Sequence, residues 1–279
     1  KVNPSAKLPE TFPVKLEDNP SYLNFPGEGN TVEYKEGIFV GYRYYDKKKM
    51  GVLFPFGHGL SYTEYTYSNL KLSAGCMKDT DSLTVSVDVT NSGKMAGKEI
   101  VQLYVGDKES SVIRPVKELK DFAKVQLEPG ETKTVTFVLS KRAFAYYNVQ
   151  IKDWHVESGT FEIMIGKSSR DIVLTQTVTV ESTVRLPMVY TTDSIMEDIF
   201  KNPEAKAMVM EAMADSVNFA PEEGEEGSSE AEAISVEMQE AMMRYMPLRG
   251  AVGFGSVATG ITMADVEALV EKLNALERA

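Results

Sequence analysis

The feature that most constrains this chain is a series of strictly alternating polar–apolar segments with no helical pattern between them. From Ser82 to Asn91, Leu83, Val85, Val87 and Val89 alternate with polar residues. In an extended chain that period of two turns one face to a core and the other to water. The pattern returns at Val101, Leu103 and Val105, at Val135, Phe137 and Leu139, and at Phe161, Ile163 and Ile165. Turn chemistry separates the segments: Asn91-Ser92-Gly93 closes one, and Glu128-Pro129-Gly130-Glu131 sits between two others. About seven short strands at this spacing predict an antiparallel β-sandwich of immunoglobulin or fibronectin type over residues 61–183. Trp154, the one tryptophan, is expected as a core residue between the sheets rather than as a sugar-stacking platform.

The flanks have other textures. Residues 1–60 place Pro4, Pro9, Pro13, Pro20, Pro26 and Pro55 between short apolar and aromatic stretches. Proline has no amide hydrogen to give, so neither long helices nor long strands fit there. The segment reads as a wrap laid over another core. From 184 onward the period becomes helical. Ile195, Met196, Ile199 and Phe200 form a short stripe, and Asn202-Pro203 is a cap with proline at the first helical position. Ala205, Met208, Val209, Ala212 and Met213 continue at helical spacing. Thr262, with Asp265 three residues on, is a box-like cap; Val266, Leu269, Val270, Leu273 and Leu276 make the buried face of a last helix. Six glutamates between Pro221 and Glu232 mark an acidic linker near 219–232. Ten of the fourteen methionines lie between Met188 and Met263. Thioether side chains adapt to uneven gaps, so this helical extension suits covering an irregular surface, a small core of its own, or assembly into a homo-oligomer.

Bulk properties exclude several function classes. A net charge of −11 argues against nucleic acid or an anionic membrane as partner. No apolar run approaches the roughly 18 residues of a membrane-spanning helix. Cys76 is the single cysteine, which forbids a disulfide within the chain and leans toward a reducing, cytoplasmic compartment. Two histidines, His58 and His155, and one cysteine supply no zinc cluster, so no metal is expected.

Three blocks have an order that generic patterning does not produce. They are Lys1-Val-Asn-Pro-Ser-Ala-Lys-Leu-Pro-Glu-Thr-Phe-Pro13, Glu36-Gly-Ile-Phe-Val-Gly-Tyr-Arg-Tyr-Tyr-Asp46, and Leu53-Phe-Pro-Phe-Gly-His-Gly-Leu-Ser-Tyr-Thr63. They resemble, in order, the end of the α/β sandwich domain of family 3 glycoside hydrolases and the hand-over to a fibronectin type III-like domain. Ala6 stands where the family usually has Gly. The tail, with Met246-Pro-Leu-Arg-Gly250 and its closing helix, resembles the helical extension of some bacterial β-glucosidases. The resemblance implies residues 1–60 as the end of the sandwich domain, 61–183 as the fibronectin-like domain and 184–279 as the helical extension.

It also implies a retaining, exo-acting parent enzyme for β-glycosides, β-glucosides first and β-xylosides second. Such an enzyme works through a glycosyl-aspartate intermediate and a glutamate acid/base, with no metal or organic cofactor. In the family the nucleophile follows a Ser-Asp-Trp-like motif on an N-terminal (β/α)8 barrel, and the acid/base lies on an earlier loop. Neither position maps onto any residue of this chain. By this reading the chain alone is inactive, no catalytic residue is assigned, and its partner is the N-terminal barrel and sandwich part of the same enzyme. The chain opens in mid-domain sequence, so a signal peptide would lie upstream of Lys1. The competing class is a non-catalytic carbohydrate-binding or adhesion module.

Glu36 and Asp46 flank one block and are expected to hold it through backbone or Arg43 rather than to form a catalytic pair. His58, between Gly57 and Gly59 with Ser61 close by, is expected to hydrogen-bond across a tight turn, because the spacing supplies no acid to complete a triad. Ten of the twenty-six aromatics fall between Tyr34 and Tyr67 and read as interdomain packing. Tyr34 and Tyr42 are the first candidates for any substrate contact.

Overall fold

The alternating segments pack as two sheets over one shared core. The computed structural model describes residues 2–214, 244–255 and 261–276; the acidic stretch near 219–232 lies outside the described residues. The chain divides into two units, Lys1–Arg185 and Leu186–Ala279.

In the first unit, β1 (Phe12–Pro13) pairs antiparallel with β2 (Val52–Phe54), and helix α1 (Tyr42–Lys47) lies between them in sequence. The sandwich follows as β3 (Tyr65–Leu72), β4 (Cys76–Lys78), β5 (Leu83–Asn91), β6 (Gly97–Asp107), β7 (Glu118–Leu127) and β8 (Thr132–Leu139). A short helix α2 (Lys141–Phe144), a hairpin of β9 (Tyr146–Asn148) and β10 (Asp153–His155), then β11 (Gly159–Ser168) and β12 (Asp171–Glu181) complete it. One sheet has three strands in the order β3-β5-β8, the other five in the order β4-β12-β11-β6-β7. All pairings in the two sheets are antiparallel except the short β4–β12 edge. This is the fibronectin-like sandwich that the alternation predicts.

On β5 the expected pattern is complete: Leu83, Val85, Val87 and Val89 are fully buried and the residues between them are half-exposed. At its end the buried Asn91 accepts hydrogen bonds from Thr63 Oγ1 (2.7 Å) and the Gly93 amide (3.1 Å) and donates to the carbonyls of Met95 (2.8 Å) and Leu127 (3.1 Å). A buried carboxamide so supplied avoids the cost of orphaned polar atoms. The Glu128–Glu131 turn closes with an amide-to-carbonyl bond of 3.0 Å, and Gly130 takes the left-handed conformation (φ 77°) that a side chain would disfavour.

Strand β6 departs from simple alternation: Val101, Gln102, Leu103, Tyr104 and Val105 are all buried. Its inward face joins the sandwich core with Val101 and Leu103, while Tyr104 packs with Tyr42 and Met164, flanked by Phe56, Leu119 and Ile172. The proline-rich segment therefore wraps the outer face of the five-stranded sheet, and a strand covered on both faces loses its polar side.

The second unit is helical: α3 (Met196–Phe200), α4 (Pro203–Ala214), α5 (Gly250–Gly255) and α6 (Met263–Leu276). It has a core of its own, in which Met196, Ile199, Ala205, Val209, Met213, Leu248, Val266 and Leu273 are buried. Asn202 caps α4 through its carboxamide oxygen, which accepts from the amides of Glu204 (3.0 Å) and Ala205 (3.4 Å). Ala212 lies on the exposed side, because the buried face of α4 is the narrow Ala205–Val209–Met213 stripe. The Met246–Gly250 stretch is tied to the chain before α3: the Leu248 amide donates to Ser194 O and the Arg249 amide to Thr192 O, both at 2.9 Å. No helix among the described residues is long and apolar enough to cross a membrane.

Candidate functional site

Helix α1 has only six residues, too few to hold itself together. It is fastened instead to two separate parts of the sandwich. Asp46 uses both carboxylate oxygens, accepting from Lys117 Nζ before β7 and from Arg170 Nε in the β11–β12 turn, each at 2.9 Å. Arg170 also donates to the Met50 carbonyl at 2.8 Å. One turn earlier, Arg43 meets Glu118 at 3.3 Å. The Tyr42 ring stacks on Phe56 at 4.8 Å and meets Tyr104 edge-on at 6.0 Å, and its hydroxyl accepts from the Leu119 amide at 2.7 Å. Burial pushes the Tyr42 phenol pKa up, and the nearby cations Lys120, Arg43 and Arg114 outweigh burial to hold Glu118 below the usual carboxylate range.

This geometry corrects several expectations. Tyr42 is a packing residue and unavailable to substrate, because the outer face of β6 needs a cover. Asp46 does hold its block, but through Lys117 and Arg170; Arg43 turns to Glu118. Glu36 offers its carbonyl to the Phe39 amide at 3.0 Å, and its carboxylate leaves Oε2 buried with no hydrogen-bond partner. The His58 ring stacks on Phe54 at 5.3 Å in place of a hydrogen bond across the turn. The tight turn itself is as expected: a Cβ at Gly57 would collide with the Gln102 side chain. Ser61 is occupied too, its hydroxyl accepting from Asn3 Nδ2 at 2.9 Å. Trp154 sits on the β9–β10 hairpin at the border of the core rather than between the sheets. The Arg142 guanidinium covers one face of it at 3.1 Å from the ring centre, which leaves that face closed to a sugar.

Gln102 was not singled out by sequence reasoning. Its side-chain amide donates through Nε2 to the carbonyls of Gly57 (3.0 Å) and Lys167 (2.7 Å), and its Oε1 accepts from the Tyr104 hydroxyl at 2.6 Å. It clips the Gly57 turn to the sandwich. The only signal was a polar residue inside an apolar run.

The wrapping segment leaves much apolar surface in water. Leu23 (92% exposed), Tyr34 (88%) and Phe25 (75%) are joined by Val14, Leu16 and Leu60. Scattered exposed apolar residues are ordinary, but this density on one segment marks a surface that fits a partner. A polar cleft of about 570 Å³ lies nearby, lined by Lys7, His58, Ser61, Glu99 and Asp171 among others. Its buried carboxylate, Glu99, accepts from Lys7 Nζ and the Tyr67 hydroxyl, both at 3.0 Å, and so serves to tie strands together. Among the described residues no group of three or more His, Cys, Asp or Glu side chains is placed to hold a metal. What the arrangement does chemically is fix one short segment against a rigid sandwich.

Residues 99–169 match the family described as Fibronectin type III-like domain. Thermostable beta-glucosidase B of Acetivibrio thermocellus is 54% identical over 279 residues, which is 99% of this chain and 35% of that protein. The chain is homologous to the C-terminal part of family 3 β-glucosidases. Beta-glucosidase BoGH3A of Bacteroides ovatus is 52% identical over 175 residues, 61% of this chain and 23% of that protein. Among solved structures, the GH3 beta-glucosidase of Bifidobacterium adolescentis matches with a TM-score of 0.66 and 39% identity over 75% of this chain and 30% of its own. The beta-glucosidase of Kluyveromyces marxianus in complex with glucose matches with a TM-score of 0.60 and 48% identity over 64% of this chain and 22% of its own. The homology to Thermostable beta-glucosidase B thus covers 99% of this chain, while the matched parts span 35% and 23% of the length of the two curated relatives.

Proposed function

We propose that this chain is the C-terminal structural portion of a retaining, exo-acting β-glycosidase, with β-glucosides as first substrate class, and that nucleophile and acid/base are both supplied by a barrel-and-sandwich part on which it docks. The observation that carries this is the wrapping segment: its apolar side chains face water on one side while α1 is anchored to the sandwich on the other. A segment with that division of labour suits a joint, handing the rigidity of the sandwich to a neighbouring domain. Rigidity matters because a misplacement of about 1 Å at a reacting centre can cost on the order of a hundredfold in rate. Homology to proteins named β-glucosidases supports the substrate class.

The test is a chimera in which this chain replaces the matching 35% of Thermostable beta-glucosidase B. Release of nitrophenol from an aryl β-glucoside is expected from the chimera, not from this chain alone, and at least about a hundredfold less from the relative truncated before the matching part. Enzyme-like hydrolysis by this chain alone, or full activity in the truncated relative, would sink the reading.

A further inference from the structure

The loop between β6 and β7 is fastened more firmly than a connection of its length needs. Arg114, 8% exposed, donates from Nη1 to Asp107 Oδ2 (3.0 Å) and the Phe144 carbonyl (3.1 Å), and from Nη2 to the Ala145 carbonyl (3.5 Å). At the other end Glu157 receives Ser110 Oγ at 2.9 Å, the Ser111 amide at 3.2 Å and the Ser111 hydroxyl. Between and beside these anchors Ile113 (76% exposed), Val116 and Val112 point their aliphatic side chains into water. Buried charge-assisted hydrogen bonds that hold apolar groups outward leave little ordering cost for a later contact.

The residues that follow Val116 are the ones that grip α1: Lys117 on Asp46, Glu118 on Arg43, and the Leu119 amide on the Tyr42 hydroxyl. The loop therefore runs directly into the residues by which the sandwich holds α1. The relative that matches 99% of this chain has most of its length outside the match.

We infer that the Ser110–Val116 loop is a preformed apolar contact for the same upstream barrel-and-sandwich part, a second footing contributed by the sandwich itself. This rests on the docking reading above. The loop contact is fixed before docking, whereas the face formed by Leu23, Phe25 and Tyr34 belongs to the wrap.

Hydroxyl-radical footprinting of this chain alone and of the full-length chimera reads both contacts at once. The expected result is that Ile113 and Val116 oxidise at least about threefold more slowly in the chimera than in the chain alone, as water-excluded interface residues do. Leu23 and Phe25 should be protected alongside them. If Leu23 and Phe25 are protected while Ile113 and Val116 keep their reactivity, the docking reading stands and the loop inference falls. If none of the four changes, both fall. The substitution Ile113→Asp supplies a second readout: the chain alone should melt unchanged, because the side chain is already in water, while the chimera melts lower. Equal melting of the substituted and unsubstituted chimeras would overturn the loop contact.

Discussion

At the scale of single residues, His155 is the group whose surroundings make the strongest demand. It is 5% exposed, its ring meets Tyr146 edge-on at 5.7 Å, and Nδ1 is buried with no hydrogen-bond partner. Burial lowers its pKa; Glu157 and Asp79 pull it up and Lys141 pushes it further down. The folded-state pKa thus lies below the unfolded value of about 6.5. Protons then favour the unfolded chain, so stability is complete above the unfolded pKa and declines as pH falls through it, levelling off below the folded value. Trp154, the neighbour of His155 on β10 and the chain's one tryptophan, reports on this hairpin by fluorescence. Between pH 7.5 and 5.5 the melting temperature read by Trp154 should drop more for the unsubstituted chain than for His155→Gln. Identical drops would show that this imidazole is not a source of the pH dependence. Of the charged groups that act on His155, only Glu157 lies on its own segment; Lys141 and Asp79 come from two other stretches of chain, and its burial is decided by the fold.

At the scale of elements, what could be read in advance was whatever local chemistry dictates. The strand alternation on β5, the Glu128–Glu131 turn and the caps at Asn202 and Thr262 all depend on residues within a few positions of one another. The Thr262 box forms as expected: its amide and hydroxyl donate to Asp265 Oδ2 at 2.8 and 2.6 Å, and the Asp265 amide donates back to Thr262 Oγ1 at 3.3 Å. These bonds hold the Asp265 carboxyl below the usual carboxylate range. Thr262→Ala removes the cap of α6 and should lower the stability of the helical unit by about 1 kcal/mol, measured by urea unfolding followed with far-ultraviolet circular dichroism. Unchanged unfolding would mean that packing of Val266 and Leu273 holds the first turn without the cap. Helix α1, by contrast, could not be anticipated: its sequence is short and aromatic, and its stability comes from Lys117 and Arg170, which are 71 and 124 positions from Asp46.

At the scale of the whole molecule, the exposed wrap has a consequence in solution. An apolar-sensing dye such as anilinonaphthalene sulfonate should bind the folded chain, because Leu23, Phe25 and Tyr34 stand in water. Leu23→Ser with Tyr34→Ser should reduce that fluorescence while leaving the melting temperature within a few degrees, since exposed side chains contribute little to folding. Fluorescence that does not respond would place the sticky surface elsewhere. The sequence by itself determined the sandwich, the helical extension and the family resemblance, since alternation, caps, turns and ordered motifs are all written in neighbouring residues. Only the tertiary structure decided that Tyr42 is covered, that Trp154 lies on an edge hairpin, and that Asp46 and Gln102 lock the wrap to the sheet. Those outcomes depend on side chains brought together across tens to more than a hundred residues, and local pattern carries no record of which distant partner a buried polar group will find.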